Sequence, residues 1–312
     1  MSGITGIHHV SAIASDQQSN IRFYTKMLGL RLVKVTVNFD DTSQYHLYYG
    51  NAVGEPGTLL TFFIFGPDGR PGRRGSGQVD GVAFSIPQES CDDWIVHLSK
   101  NDIAFEGPEK RFSDDVITLY DPDGLKIELV ASDDARGPWG DGPLDNQMAI
   151  RGLHSATLSL KDLKRSSELY EDKLDFQQLQ KSGNRTRYVL CDEKPGNLLD
   201  IVVESDRLSG SGGVGTVHHI AFRVSDDRAH LDLRRPLMRG GYRVTPVLDR
   251  HYFNAMYFRE PNTILFEIAT DPPGFLVDQS EAGLGEGLSL PPWLEKERSE
   301  IEAKLAPLQF NP

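Results

Sequence analysis

Two cysteines in 312 residues, Cys91 and Cys191, are too few and too far apart for a disulfide framework, and they show no CxxC spacing. They read as two small, half-buried hydrophobes in a reducing compartment. No apolar run approaches the roughly 18 residues needed to cross a bilayer. The N-terminal MSGITGIHHV has neither a basic nor an apolar leader segment, so a soluble, cytoplasmic protein is expected. Positive charge is also in deficit: 33 Lys and Arg stand against 45 Asp and Glu, a net charge of -12. Such a surface repels phosphate backbones and anionic lipid, so no nucleic-acid or membrane partner is expected. A Walker loop and a dinucleotide fingerprint are missing too. The glycines of GSGGVGTVHH (210–219) precede a strand instead of opening a helix after one, and read as a flexible lead-in.

What is present is an ordinary globular composition, 38% hydrophobic and 25% charged, in a chain long enough for about two domains. Four stretches repeat within it. His8-His9-Val10-Ser11-Ala12-Ile13-Ala14-Ser15-Asp16 matches His218-His219-Ile220-Ala221-Phe222-Arg223-Val224-Ser225-Asp226. Between them lie Asp80-Gly81-Val82-Ala83-Phe84-Ser85-Ile86 and His154-Ser155-Ala156-Thr157-Leu158-Ser159-Leu160. Positions 9, 81, 155 and 219 therefore correspond. Each stretch alternates like a short strand and runs into a helix signal, at 20–28, 89–99, 167–174 and 226–239. Strand-like runs follow, such as 45–49 and 59–65, so the unit reads as strand, helix, then about three strands. In Asp121-Pro122-Asp123-Gly124-Leu125-Lys126-Ile127-Glu128 and Glu260-Pro261-Asn262-Thr263-Ile264-Leu265-Phe266-Glu267, an acidic residue and Pro open a turn, and a Glu follows seven residues after that acid. Thr61 and Asp200 take the Glu position in the other two copies.

This organisation resembles the vicinal oxygen chelate superfamily, which includes the glyoxalases and the extradiol dioxygenases. The strings VNFDDTSQYHLYYGN (37–51), PGTLLTFFIFG (56–66) and LPPWLEKERSEIEA (290–303) are similar to bacterial dioxygenases that cleave hydroquinone rings. The resemblance implies an α+β fold of four βαβββ modules forming two open, cupped β-barrels with outer helices. Two modules occupy 5–132, two occupy 149–272, and a tail with a short helix fills 273–312. Trp293, Leu294, Ile301 and Leu305 give that helix an apolar side, which caps the fold or a dimer interface; a homodimer is carried as the expected assembly.

Neighbouring side chains on a strand face opposite ways, so His8 and His9 cannot both enter one site. His8 shares a face with Val10 and Ala12, and His218 with Ile220 and Phe222. That apolar face is expected against the helices, leaving His9 and His219 to the concave side. The inward positions are then His9 and Thr61, Gly81 and Glu128, Ser155 and Asp200, His219 and Glu267. Pairing copies one and two offers only His9 and Glu128, and pairing three and four offers Asp200, His219 and Glu267. Pairing one and four offers His9, His219 and Glu267, the two-His, one-carboxylate set of non-haem Fe(II) oxygenases, and chemistry favours it. Glu128, without His partners, reads as a salt bridge or a relic of an ancestral site. His46, His97, His230 and His251 read as ordinary core or surface residues, and Phe62, Phe63 and Phe65 as a buried strand.

From the resemblance, Arg250, Tyr257, His218, His8 and Ser11 are second-sphere groups at the substrate. It implies an Fe(2+)-dependent dioxygenase acting on a small aromatic hydroquinone and O2. Two rival classes are a glyoxalase-like isomerase or lyase using Ni or Zn, against which Thr61 in the fourth ligand position argues, and a non-catalytic module that sequesters a small molecule.

Overall fold

Alternating apolar residues followed by a helix produce the same unit four times in the computed structural model, which describes residues 3–309. Module one contains β1 (Ile4–Ala14), α1 (Gln17–Arg22), β2 (Arg31–Asn38), β3 (Asp41–Gly50) and β4 (Leu59–Ile64). Module two contains β5 (Gln78–Pro87), α2 (Cys91–Lys100), β6 (Phe105–Arg111), β7 (Asp114–Tyr120) and β8 (Lys126–Ser132). Module three contains β9 (Gly152–Leu160), α3 (Lys164–Glu168), β10 (Gln177–Ser182), β11 (Arg185–Val189) and β12 (Leu198–Val203). Module four contains β13 (Val217–Val224), α4 (Asp227–Arg239), β14 (Leu248–Asp249), β15 (Phe253–Arg259) and β16 (Leu265–Pro273). The aspartates that end the two His-His repeats are helix caps. Asp16 accepts from the Ser19 amide and Asp226 from the Ala229 amide, each satisfying a free N–H of the first turn.

The modules assemble into two eight-stranded sheets, ordered β14-β15-β16-β13-β1-β4-β3-β2 and β10-β11-β12-β9-β5-β8-β7-β6. Each sheet joins two modules through antiparallel pairing of their first strands, β1 with β13 and β5 with β9. Modules one and four thus share one cup, and modules two and three the other.

The register of these seams departs from simple alternation. Ile7 faces Phe222 while His9 faces Ala221, leaving His8 as an extra residue; Ser11 faces His219 while Ala12 faces Val217, leaving His218 extra. Asp80 and His154 are the extra residues of the other seam. All four first strands therefore carry a β-bulge immediately before the equivalent positions 9, 219, 81 and 155, and a bulge re-aims side chains that a regular strand would send to opposite faces.

Two further segments differ from expectation. The glycine-rich 210–216 stretch is held by backbone bonds to the 70–76 segment, including Gly72 N–H to Val214 O and Ser211 N–H to Arg73 O. It is a paired crossover between the sheets, not a free lead-in. In the tail, α5 (Arg298–Lys304) is only seven residues long. Ile301 packs with Val37 and Leu290, joined by Leu294 and Leu305, but Trp293 is half-exposed and off the buried side. The start of the tail is pinned by the fully buried Lys34, whose Nζ lies 2.6 Å from Asp278 Oδ1. Among the described residues, no helix is long and apolar enough to cross a membrane.

Because β13 and β9 each rely on a strand from the other half of the chain, a fragment of residues 145–312 would leave both inner edges unpaired. It is expected to aggregate and to lack cooperative thermal unfolding. A monomeric, cooperatively melting fragment on size exclusion and calorimetry would contradict this.

Candidate metal centre and aromatic pocket

The first cup brings His9, His219 and Glu267 together, all buried, with one ligand atom of each within 4.8 Å of the others. His9 Nε2 lies 3.1 Å from His219 Nε2, and Glu267 Oε2 lies 2.8 Å from His219 Nε2 and 3.5 Å from His9 Nε2. Neighbouring donors in a shell with bonds of about 2.1 Å at right angles are spaced by about 3 Å, so the three edges fit a single ion. Despite these short approaches, neither Glu267 oxygen has a well-aligned hydrogen-bond donor. A buried carboxylate left so is costly unless a cation meets it. Burial pushes Glu267's carboxyl up, yet the His9 and His219 charges outweigh burial and hold it well below the usual range. The donor set therefore suits a divalent metal.

The bulges explain why histidines come in pairs here. His8 Nδ1 lies 2.9 Å from His9 Nδ1, and His218 Nδ1 lies 2.8 Å from His219 Nδ1. A metal-bound imidazole needs an acceptor for its other N–H to fix tautomer and ring orientation. Burial, then the neighbouring histidine, pushes His8 well below 6.5 and His218 down to about 4, so both stay neutral and can accept. His8 lies behind His9, its ring also against Phe253 at 5.1 Å. His218 lines the cavity, contrary to the helix-facing orientation that alternation predicts. The bulge is the reason.

Above the three donors is a cavity of about 300 Å³. An apolar cavity of about 150 Å³ already takes up benzene, so this one suits a single substituted ring. Tyr257, Arg250 and His218 line it, whereas Ser11 and His8 do not. Tyr257 pairs with Glu267 across β15 and β16, and its ring stands edge-on to His219 at 5.8 Å. Burial, then Glu267, raises the Tyr257 phenol well above 10, so it remains a donor. Arg250 Nε lies 3.3 Å from the Tyr257 hydroxyl.

His46 is a pocket residue that sequence reasoning missed. Its ring is sandwiched between Tyr48 and Phe63, each at 4.1 Å, and all three line the cavity. Its nitrogens reach the Tyr48 hydroxyl at 3.0 Å and Thr61 Oγ1 at 2.9 Å, and Thr61 in turn bonds Ser11 Oγ at 2.6 Å. The available signal was that 46 lies two residues from 48 on a strand next to Phe63. Of the other aromatics, Phe62 is buried in the core and Phe65 is largely exposed, so only Phe63 of that trio lines the cavity. His97 bonds Met27 O, His230 is buried on α4, and His251 lies beside Asp278.

The second cup has the same carboxylate positions with a different filling. Glu128 meets Arg111 and Lys126, each at 2.6 Å, while Asp200 meets Arg187 at 2.7 Å and Arg185 at 2.9 Å. Glu128 is a salt-bridge residue. Burial pushes its carboxyl up, but Arg111 and Lys126 outweigh burial and hold it at about 2.

A two-cup βαβββ protein with a buried two-His, one-Glu cluster under an aromatic cavity has the architecture of the glyoxalase and dioxygenase fold. The Glyoxalase/Bleomycin resistance protein/Dioxygenase superfamily matches residues 6–129 and 152–278, and the chain belongs to that superfamily. It is 42% identical over 307 residues to a Bacillus subtilis (strain 168) protein named "Putative ring-cleaving dioxygenase MhqO", covering 98% of this chain and 97% of that one. It is 32% identical over 307 residues to the chlorohydroquinone/hydroquinone 1,2-dioxygenase of Sphingobium indicum, covering 96% and 95%. A crystal structure described as a putative dioxygenase from B. subtilis superposes with a TM-score of 0.94 at 41% identity, covering 99% of this chain and 98% of that one. Glyoxalase I from Zea mays shares the fold alone, with a TM-score of 0.64 at 17% identity over 85% and 92% of the two chains.

Arg111→Ala leaves Glu128 in the second cup with Lys126 as its remaining counter-charge and is expected to cost about 1.5–3 kcal/mol in chemical denaturation. Glu128 has a depressed native pKa, so its contribution is complete above its ordinary 4.5 and disappears as pH falls toward about 2. The stability difference between wild type and Glu128→Gln should therefore shrink across that interval; a difference that grows on acidification would show the sign to be wrong.

Proposed function

We propose that the protein is an Fe(II)-dependent, extradiol-type dioxygenase that opens hydroquinone-type rings with O2. Cleavage falls between a hydroxylated carbon and its neighbour, and both oxygen atoms enter the product. The observation that supports this most is the donor count. Two imidazoles and one carboxylate point at one spot, while Thr61, in the fourth ligand position, is engaged by Ser11 and His46. Three protein ligands with open positions suit oxygen activation, whereas a four-ligand set with two carboxylates would suit an isomerase. The names of the relatives point the same way.

His9, His219 and Glu267 would hold Fe(II), which would supply Lewis acidity toward a phenol and an electron for O2. His8 and His218 orient the two imidazoles through their Nδ1 atoms. Tyr257, protonated, donates to a ring oxygen, and Arg250 beside it favours that oxygen's anionic form. His218, neutral at the cavity wall with its Nδ1 engaged by His219, is placed to donate its Nε2–H to a ring oxygen. Phe63 and Phe253 exclude water from the ring's faces. Ser11 acts only through Thr61 and His46. We place the protein in the cytoplasm, where the free Cys91 and Cys191 stay reduced.

Anaerobic Fe(II) loading followed by oxygen-electrode assays should show O2 uptake with hydroquinone and methylhydroquinone. No uptake, together with Ni-dependent turnover of a dialdehyde with a thiol, would favour the isomerase. His219→Ala should lose iron by elemental analysis with its circular dichroism unchanged; an iron-replete, active variant overturns the ligand assignment. Tyr257→Phe should keep iron and lower kcat by about 10²-fold or more.

A further inference from the structure

The geometry points to Asp40 as the residue that restricts this cavity to rings without a second negative charge. This rests on the ring-cleavage reading and adds a determinant of which hydroquinones are accepted. Asp40 sits in the turn between β2 and β3, on module one, whereas Arg250 precedes β15 on module four. Both line the cavity. The Arg250 Nη1 and Nη2 atoms reach Asp40 Oδ1 and Oδ2 at 3.3 and 3.0 Å, a bidentate pair that joins the two modules across the cavity.

Among the described residues lining the cavity, Arg250 is the one Lys or Arg, and the carboxylates are Asp40 and Glu267. Arg250 is engaged on every side. Its Nε is at the Tyr257 hydroxyl, its guanidinium lies 5.4 Å from the centre of that ring, and its outer nitrogens are on Asp40. An anionic ring substituent would find no unpaired Lys or Arg among the described lining residues, and to reach Arg250 it must displace the Asp40 carboxylate or lie beside it. Like charges so placed reject a ligand even where its shape fits. Neutral substituents meet a different surface, since Phe39, Leu248, Phe253 and Leu265 line the same space. Hydrogen, alkyl or halogen groups are therefore accepted, and carboxylates are refused. Asp40 is 72% exposed, so its pair contributes little to folding and its removal leaves the fold intact.

The test compares methylhydroquinone with 2,5-dihydroxybenzoate, a hydroquinone bearing one carboxylate, in wild type, Asp40→Asn and Asp40→Glu. Two readings are taken for each: kcat/KM from O2 uptake by the Fe(II)-loaded enzyme, and Kd by anaerobic calorimetry. In D40N the ratio of benzoate to methylhydroquinone should rise at least tenfold, chiefly through KM and Kd for the benzoate, and D40E should restore the wild-type ratio. An unchanged ratio in a D40N enzyme with wild-type melting temperature and iron content overturns the assignment. So does a wild-type enzyme that already binds the two rings equally. Absence of O2 uptake with any ring would sink the ring-cleavage reading, while the anaerobic Kd ratio still decides the role of Asp40.

Discussion

The seam between β1 and β13 is the constraint on which the rest of the molecule depends. It joins the first and last modules, sets the first cup, and fixes His9 and His219 on facing strands. Two of its bulges turn His8 and His218 back onto their neighbours, so that each imidazole of the His9, His219 and Glu267 cluster has its far nitrogen held by a neutral one. Without the bulges the paired histidines would face opposite sides of the sheet, and the orienting contacts would be lost. Glu267 completes the cluster because β16 runs parallel beside β13, in register with Ala221.

The two cups show how one scaffold handles a buried carboxylate in two ways. In the second, guanidinium and ammonium groups supply the countercharge from within the chain, and the result is a filled, structural core. In the first, imidazoles surround Glu267 and, among the described residues, no Lys or Arg pairs with it, which keeps the demand for a cation open and leaves room for a ring above it. The same positions, filled by Gly81 and Ser155 in place of His9 and His219, have no ligands to offer. Electrostatics, not topology, separates the cup with the histidine cluster from the salt-bridged one.

Much of this was legible in the sequence. The repeat spacing locates all four first strands, Asp16 and Asp226 cap the helices after the first and last of them, and ligand chemistry selects the pairing of modules one and four. Other features were not. Alternation assigned His218 to the helix side because a bulge has no marker in a single strand; it exists only as a mismatch of register with a partner. His46 passed for an ordinary histidine because its stacking partners, Tyr48 and Phe63, become neighbours through the β3–β4 hairpin. The tail's amphipathic pattern placed Trp293 with Ile301, but only a seven-residue helix forms and the tryptophan falls before it.

By itself, the sequence determined the modular βαβββ plan and singled out His9, His219, Glu267 and Thr61 as inward-facing positions, because periodicity, capping and donor chemistry are local properties of residues. Only the tertiary structure decided how each histidine pair divides its labour, how the Glu128 and Asp200 charges are met, and that Asp40 reaches Arg250 across the cavity. Those outcomes depend on register and on contacts between segments as far apart as 210 residues, and no local pattern encodes them.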